Sequence, residues 1–364
     1  MEYIKRLFAS LQQDRIPKAR ASSQYLRPNA LENSHVAKLP TEILQQIADA
    51  LPNEAAASFS LSCRHIYLLV GPQYLARLAS SKSKTLSFLE LLERDLPDQI
   101  VCHPCCKLHK TKDAEKYTVG GQLSSSWVDP GRLKCLHDDM EALVELYIHE
   151  NFRSVVFKMV MKHFRVFGPD AQSRRLLDIL SNKHTTYPWN DLLTKEEARC
   201  QIQHGSLFVR KRMTFHGPCR GVELESIDGF PICPHLEILS RGPLSLYIAQ
   251  LHPYAPDKQL LYCESTSHCK KSLLPARSEL HQCQYCRTEI TADIQHPDNS
   301  TFDLIITVWK DLGQGPETEE WRAHCPPMDF LETPPPILFK RGEISSVFQE
   351  LQTTQPLVLT SIFS

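Results

Sequence analysis

The sequence predicts an α+β fold, with helices early in the chain and antiparallel strands later. Apolar residues recur at helical spacing between residues 38 and 97 and again over 140–167. Alternating apolar and polar residues, typical of strands, follow at 206–215, 288–295 and 301–312. Helices and strands do not alternate regularly, which argues against a parallel sheet. We therefore expect three short N-terminal helices followed by a mixed helical and antiparallel-sheet domain.

The charge and composition of the chain exclude some classes of function. In 364 residues, 41 Lys and Arg oppose 42 Asp and Glu, so the net charge of -1 gives no general attraction to a nucleic acid backbone. No apolar run reaches the roughly 20 residues that a membrane-spanning helix needs. The 13 cysteines occur without a secretory signal, which is typical of a reducing compartment. We expect a protein of the cytoplasm or the nucleus that binds neither nucleic acid nor membrane.

Prolines and shifts in composition divide the chain into four predicted segments. Pro17 and Pro28 interrupt any long helix near the start, so residues 1–36 are predicted to be a leader. The other boundaries follow from the end of the early helical pattern and from the run Pro334 to Pro336. The remaining predicted segments are a short helical module at 37–83, called the docking module below, a Cys/His-rich domain at 84–336 and a tail at 337–364.

The docking module begins with a helix signal. Pro40 suits a first helical turn, and Glu42 suits the positive end of the helix dipole. Leu44, Ile47 and Leu51 then recur on one helical face, widened by Ile43. Two further short helices are predicted at 54–62 and 63–70, the last ended by Gly71-Pro72. Helices this short are marginal alone, so they need a partner surface or, alternatively, form a helical hairpin inside a larger core.

Later elements are predicted by the same signals. The run LSFLELLERDLP at 86–97 predicts a helix stopped by proline, and residues 140–167 predict one or two helices that end at Gly168-Pro169. The turn residues HPDNS separate the strands at 288–295 and 301–312, which predicts an antiparallel hairpin. The segment GEISSVFQEL near the end predicts a short helix.

The module resembles an F-box, as its residues LPTEILQQIADALPNEAAASFSLSCRHIYLLVG show at both ends. The alanine-rich middle is similar to that of F-boxes of filamentous fungi, and weaker signals such as CQYCRTEI and EEWRAHC resemble one group of fungal F-box proteins. Ile66 departs from the tryptophan found in many F-boxes. The resemblance implies binding to the Skp adaptor and, through it, to the cullin and RING subunits of an SCF ubiquitin ligase. The matching contact residues are Leu39, Pro40, Ile43, Leu44, Ile47, Leu61 and Arg64.

A first metal site is predicted around CHPCCKLH at 102–109. Tetrahedral zinc takes four thiolate or imidazole ligands, two of them commonly on one tight turn. We propose Cys102, Cys105, His109 and Cys135 as ligands, with Cys106 as an alternative to Cys105. A thioredoxin-like redox pair is a rival interpretation of CHPC, but that fold needs a preceding strand in a βαβ unit, and the upstream pattern is helical.

A second metal site is predicted from four later cysteines, Cys263, Cys269, Cys283 and Cys286. Their spacing is typical of two turns that hold one ion. Cys233 and His235 compete with Cys263 and Cys269 as the partners of Cys283 and Cys286. Spacing alone does not decide between these two pairs. In either cluster the alternative is a set of small buried apolar residues. The proposed ligands are Cys263, Cys269, Cys283 and Cys286.

These patterns favour an adaptor without catalytic residues. The sequence contains none of the motifs GxGxxG, GxxxxGK[ST], HExxH or GxSxG. We expect a substrate receptor whose Cys/His-rich domain captures a protein that the sequence does not identify. The alternative is a zinc-dependent or thiol enzyme with an F-box-like helical start. Four protein ligands would leave zinc no open position, so zinc is expected to be structural.

Overall fold

The fold is known from a computed structural model, and helices together with antiparallel sheets make it α+β, as predicted. The chain divides into two compact units, 1–110 and 111–364, which are described separately. None of the helices in the described ranges combines the length and hydropathy needed to cross a bilayer. The structure describes residues 35–117, 147–149, 152–189, 192–218, 230–240, 246–250, 279–297, 301–325 and 335–349.

Four α-helices and a hairpin form the described part of the N-terminal unit. Prolines precede the first two helices, and the side chains of Cys63 and Ser81 accept amide hydrogen bonds at the starts of the next two. A 3-10 turn, His35–Lys38, comes before the first helix. The elements are α1 Thr41–Ala50, α2 Asn53–Leu61, α3 Arg64–Leu78, α4 Lys82–Asp95, β1 Gln99–Cys102 and β2 Lys107–Lys110.

Helix α3 does not end at Gly71-Pro72, so that prediction is wrong. The helix continues to Leu78, although position 72 lacks an amide hydrogen. Gly71 serves packing instead, because an added Cβ would lie 2.7 Å from a ring carbon of Tyr67 and 3.3 Å from Cβ of Ser60. The absence of a side chain at Gly71 therefore eases the close approach of α2 and α3.

The N-terminal unit extends past the predicted boundary at residue 83. Helix α4 buries Phe88 and Leu89 in the same apolar cluster as Ala56 of α2 and Val101 of the hairpin. Strand β1 pairs antiparallel with β2, from Gln99 opposite Lys110 to Cys102 opposite Lys107. Shared burial of apolar side chains thus joins residues 84–110 to the docking module, not to the later domain.

Helices in the C-terminal unit have clear start and stop residues. α5 ends at Gly168, which takes a left-handed φ of 75°, as the Gly-Pro signal predicted. The Asp170 carboxylate accepts the Ser173 amide at 2.7 Å and starts α6. The elements are a 3-10 helix Thr111–Tyr117, α5 Ser154–Phe167, α6 Ala171–Leu180, α7 Glu319–Arg322 and α8 Glu343–Ser346.

A six-stranded antiparallel sheet forms the centre of this unit. The predicted hairpin is confirmed: Thr288 lies opposite Lys310, and Gln295 lies opposite Asp303. The strand order is β3-β4-β5-β11-β10-β9, so β5 pairs with β11, which is distant from it in the sequence. The strands are β3 Asn182–Trp189, β4 Leu192–Gln203, β5 Ser206–Pro218, β9 His281–Gln282, β10 Thr288–Gln295 and β11 Thr301–Asp311.

A three-stranded antiparallel sheet packs on one face of the large sheet. Its side chains Phe230, Ile232 and Leu236 share a core cluster with Phe215 and Ile306 of the large sheet. Its strands are β6 Phe230–Cys233, β7 Leu236–Ser240 and β8 Leu246–Gln250.

The predicted C-terminal tail belongs in part to the fold. Within 335–349, Ile344 and Phe348 are buried against Phe208 of β5, so this stretch is part of the C-terminal unit. The rest of the tail, 350–364, lies outside the described residues, as does the predicted leader apart from its last two positions.

Candidate functional site

Four side chains of types that can bind a metal ion lie close together between the two sheets. Cys233 ends β6, His235 lies in the turn to β7, Cys283 follows β9, and Cys286 lies two residues before β10. Their donor atoms all lie within 4.8 Å of one another, and all four residues are buried. These residues are called the sheet cluster below.

The turn between β9 and β10 aims two sulfur atoms at the same point. The Tyr285 amide donates to Cys283 Sγ at 3.4 Å, and the Cys283 amide donates to the Thr288 carbonyl at 2.9 Å. Cys286 Sγ lies 3.2 Å from Thr288 Oγ1. Backbone hydrogen bonds thus fix the spacing of this pair before any ion binds.

The three thiols of the sheet cluster have strongly altered pKa values. Burial raises the pKa of Cys233 to about 12 and that of Cys286 well above its usual range. Hydrogen bonds from Cys233 and Cys286 lower the pKa of Cys283. Without a cation, such a buried group cannot hold three negative charges. A metal ion would displace the protons, and three sulfurs with one imidazole are a suitable tetrahedral ligand set. The sheet cluster can therefore bind a metal ion.

Two of the four predicted ligands lie in this cluster, Cys283 and Cys286. Of the two competing partner pairs, the structure brings Cys233 and His235 to them. The predicted ligands Cys263 and Cys269 lie outside the described residues. Spacing along the chain left this choice open because the two halves of the cluster come from strands separated by a long connection.

A second group of donors lies in the β1-β2 hairpin. Cys102, Cys105 and His109 place their donor atoms within 4.8 Å of one another, with Cys102 buried and the other two partly buried. Cys105 Sγ lies 3.2 Å from His109 Nε2. A hydrogen bond from Cys102, followed by His109, lowers the pKa of Cys105 to about 4. These residues are called the hairpin cluster below.

The hairpin decides between alternatives that the sequence left open. Cys106 takes a left-handed φ of 52° and donates to the His103 carbonyl at 3.5 Å, so it lies outside the hairpin cluster. The expected fourth ligand, Cys135, lies outside the described residues. A strand does precede CHPC, contrary to the expected helix, but it leads into an antiparallel turn, not the βαβ unit of a thioredoxin.

Helix α1 exposes one apolar face. Leu39, just before the helix, and Ile43, Ile47 and Leu51 are each between 36% and 39% exposed. Spacings of four residues place them on one side of the helix. These four residues are called the apolar face below.

Leu44, which was predicted to be a contact residue, does not belong to the apolar face. Its side chain is only 1% exposed, because positions 44 and 48 point into the protein. A substitution there would test folding, not docking.

The remaining predicted contact residues differ in how accessible they are. Pro40 is exposed and Leu61 is half-buried, while the structure describes only the backbone of Arg64, at the first position of α3. The Tyr74 hydroxyl hydrogen-bonds to Asp49 and accepts from Gln45 at 3.0 Å, which ties α1 to α3. The apolar face is therefore presented by a helix fixed to its neighbour.

Comparison with known proteins adds no relative. The chain matches no family model, and neither the curated proteins nor the solved structures include a match. The two clusters and the apolar face therefore have to be interpreted from their own geometry.

Proposed function

We propose that this chain is an F-box adaptor, the substrate-recognition subunit of an SCF-type ubiquitin ligase. In this proposal the apolar face binds the Skp adaptor and, through it, the cullin and RING subunits in the cytoplasm or nucleus. The observation that carries the proposal is the exposure of Leu39, Ile43, Ile47 and Leu51 on one side of α1.

An apolar helix face of this kind is suited to a groove on another protein. Amphipathic helices bind such grooves through side chains three or four residues apart. Full burial of one leucine or isoleucine side chain contributes about 1.5–3 kcal/mol relative to exposure. Four half-exposed side chains therefore offer a substantial gain on binding, and no chemistry is required of them.

The arrangement of helices α1, α2 and α3 supports the same proposal. α1, α2 and α3 follow one another with short connections, and their shared core includes Ala48, Ala56 and Val70. Residues 39–71 resemble an F-box at both ends of this segment. The C-terminal unit is then the part that captures the target protein.

In this proposal the metal of the sheet cluster is zinc, in a structural role. Three cysteines and one histidine fill all four positions of a tetrahedral ion. A catalytic zinc keeps one position for water or substrate. The ion would then hold the two sheets of the receptor domain together without taking part in a reaction.

The experiment compares Ile47→Asp with Gln46→Asp in the full chain. Both add one negative charge to exposed positions of α1, but only the first adds it to the apolar face. Binding to purified Skp adaptor is measured by calorimetry, and folding is checked by circular dichroism. We expect Ile47→Asp to weaken binding at least about tenfold, which is about 1.4 kcal/mol. Gln46→Asp should change it by less than about threefold, since rim charges contribute little.

Two results would refute the adaptor proposal. The unaltered chain would show no binding to Skp, or the folded Ile47→Asp variant would bind as tightly as Gln46→Asp. In the second case the apolar face would be no part of the contact.

One observation favours a second candidate, a thiol-dependent activity of the N-terminal unit. Cys105 is partly exposed, its pKa is lowered to about 4, and His109 Nε2 lies 3.2 Å from its sulfur. Such surroundings are found around reactive cysteines. Zinc distinguishes the candidates: a metal-binding Cys105 is protected from alkylation by zinc, whereas a reactive thiol is alkylated with or without it.

A further inference from the structure

Lys310 is buried in the apolar interior of the C-terminal unit. It lies on the core side of β11 and is 1% exposed. Its Nζ donates a hydrogen bond of 2.7 Å to the carbonyl of Ile232, the residue before Cys233. Within the described parts of the chain, the Lys310 ammonium makes no other hydrogen bond and no ion pair. A buried ammonium without a negative partner is costly.

The neighbouring Lys211 is also buried in this sheet, and it has a carboxylate partner. Lys211 Nζ lies 3.2 Å from a carboxylate oxygen of Glu196, which is itself buried. Lys211 therefore has its compensating charge within the sheet. Among the residues that the structure describes, no carboxylate plays this part for Lys310.

Residues next to the sheet cluster lie on two sides of Lys310. On one side Lys310 binds the carbonyl next to Cys233. On the other side it lies opposite Thr288, whose hydroxyl is 3.2 Å from Cys286 Sγ. Burial lowers the pKa of Lys310, while the nearby Cys233 and Cys286 act in the opposite direction. The thiolates of this cluster would be the negative partners of Lys310 once a metal ion has displaced their protons.

The charges balance when the cluster holds a divalent ion. Three thiolates and a neutral imidazole around a divalent ion carry a net charge of about -1, which is the usual sum for this ligand set. One protonated lysine brings the buried group to zero. A trivalent ion would leave an excess positive charge, and a monovalent ion would leave an excess negative one.

We propose that Lys310 is the counter-charge of the metal centre formed by Cys233, His235, Cys283 and Cys286. Lys310 acts through charge and through the Ile232 carbonyl and is no ligand, so it is a positioning residue. The inference rests on the proposal that the sheet cluster binds a metal.

The test uses the full chain with Co²⁺ and Zn²⁺. Lys310→Met removes the charge and the hydrogen-bond donor, and Lys310→Gln removes the charge but keeps a donor. Lys195→Met removes the charge of an exposed lysine on β4 and is the matched control. Co²⁺ absorption reports the ligand set, and competition with a chromophoric chelator gives the Zn²⁺ affinity. Outer-shell changes commonly reduce metal affinity 10–100-fold, and we expect a loss in this range for both Lys310 variants with an unchanged Co²⁺ spectrum.

The outcomes separate this inference from the metal proposal. Absence of a sulfur-ligated Co²⁺ spectrum in the unaltered chain would refute the metal site itself. A normal spectrum with equal Zn²⁺ affinity in Lys310→Met and Lys195→Met would overturn the counter-charge role alone. Unchanged affinity in Lys310→Gln, together with a loss in Lys310→Met, would show that the hydrogen bond matters and the charge does not, which also overturns it.

Discussion

The two cysteine clusters differ in how many parts of the chain they join. The sheet cluster takes its four donors from turns about fifty residues apart, as the 3.9 Å contact between Cys233 and Cys283 shows. The hairpin cluster takes its three described donors from eight consecutive residues, Cys102 to His109. A bound ion would hold two sheets together in the first case and only one local turn in the second.

Similar ligand chemistry can therefore have unequal structural effects in the two clusters. Linking residues distant in sequence restricts the unfolded chain more than closing a short loop does. The sheet cluster also belongs to the main apolar core of its unit, through Cys233, Cys283 and Cys286. Cys105 and His109 are accessible to solvent in part. The sheet cluster should therefore dominate stability, and the hairpin cluster should dominate reactivity.

The largest effect is expected from Cys286→Ser. Zinc binding contributes about 10–16 kcal/mol in apparent terms to small zinc-binding peptides, as much as the roughly 5–15 kcal/mol net stability of a whole domain. The variant should lose one metal ion per chain, and its main thermal transition should be lowered strongly or lose cooperativity. Metal content by elemental analysis and thermal unfolding measure both, and a strong chelator should have the same effect on the unaltered chain.

Cys200→Ser is the matched control for this change. Cys200 lies in β4, outside both clusters, with its thiol near the Leu180 carbonyl. It should retain the full metal content and most of its thermal stability. Equal melting of chelated and untreated protein would contradict the structural role of the sheet cluster, and its cysteines would then be ordinary core residues.

A smaller effect is expected from Cys105→Ser in the hairpin cluster. Because this cluster closes a local turn, its loss should remove at most one ion and lower the thermal transition less than Cys286→Ser does. Cys106→Ser alters the adjacent thiol, which points to the His103 carbonyl, and should leave metal content unchanged. If Cys106→Ser lost the ion and Cys105→Ser kept it, the assignment of Cys105 would be wrong.

The smallest effect concerns the pH dependence of alkylation in chelator-treated protein. The pKa of Cys105 is lowered to about 4, so its reactive thiolate is present above that pH and lost below it. Cys105 should be labelled by iodoacetamide with a midpoint near pH 4, as quantified by mass spectrometry. A midpoint near 9, the usual value for a thiol, would show that Cys102 and His109 do not activate it.

Local signals predicted the strongest elements of the fold. The hairpin of β10 and β11 follows from alternating residues around a turn, and the end of α5 follows from Gly168. The sequence patterns did not predict strands β3 and β4. In β4 the stretch LTKEEAR is rich in good helix formers. Pairing with β5 overrides that preference, and every second residue from Leu192 to Ala198 is buried.

The candidate sites were predicted less completely, for reasons of geometry. Residue types identified the metal donors, but spacing could not show which distant pair meets Cys283 and Cys286. Helical periodicity grouped Leu44 with Ile43 and Ile47, although the burial of Leu44 depends on neighbouring helices. Lys310 gives no local signal at all, since a lysine near the end of a strand usually reaches solvent.

Glu289 on β10 determines how the last described segment would behave after proteolysis. Its buried carboxylate accepts the amide hydrogens of Gly342 at 2.6 Å and Ser345 at 2.8 Å. Ile344 lies in an apolar cluster with Phe208. Because these contacts join the segment directly to β5 and β10, we expect the fragments to stay associated after a protease cut between 325 and 335. The nicked protein would elute from a sizing column as one particle and separate into two bands on a denaturing gel.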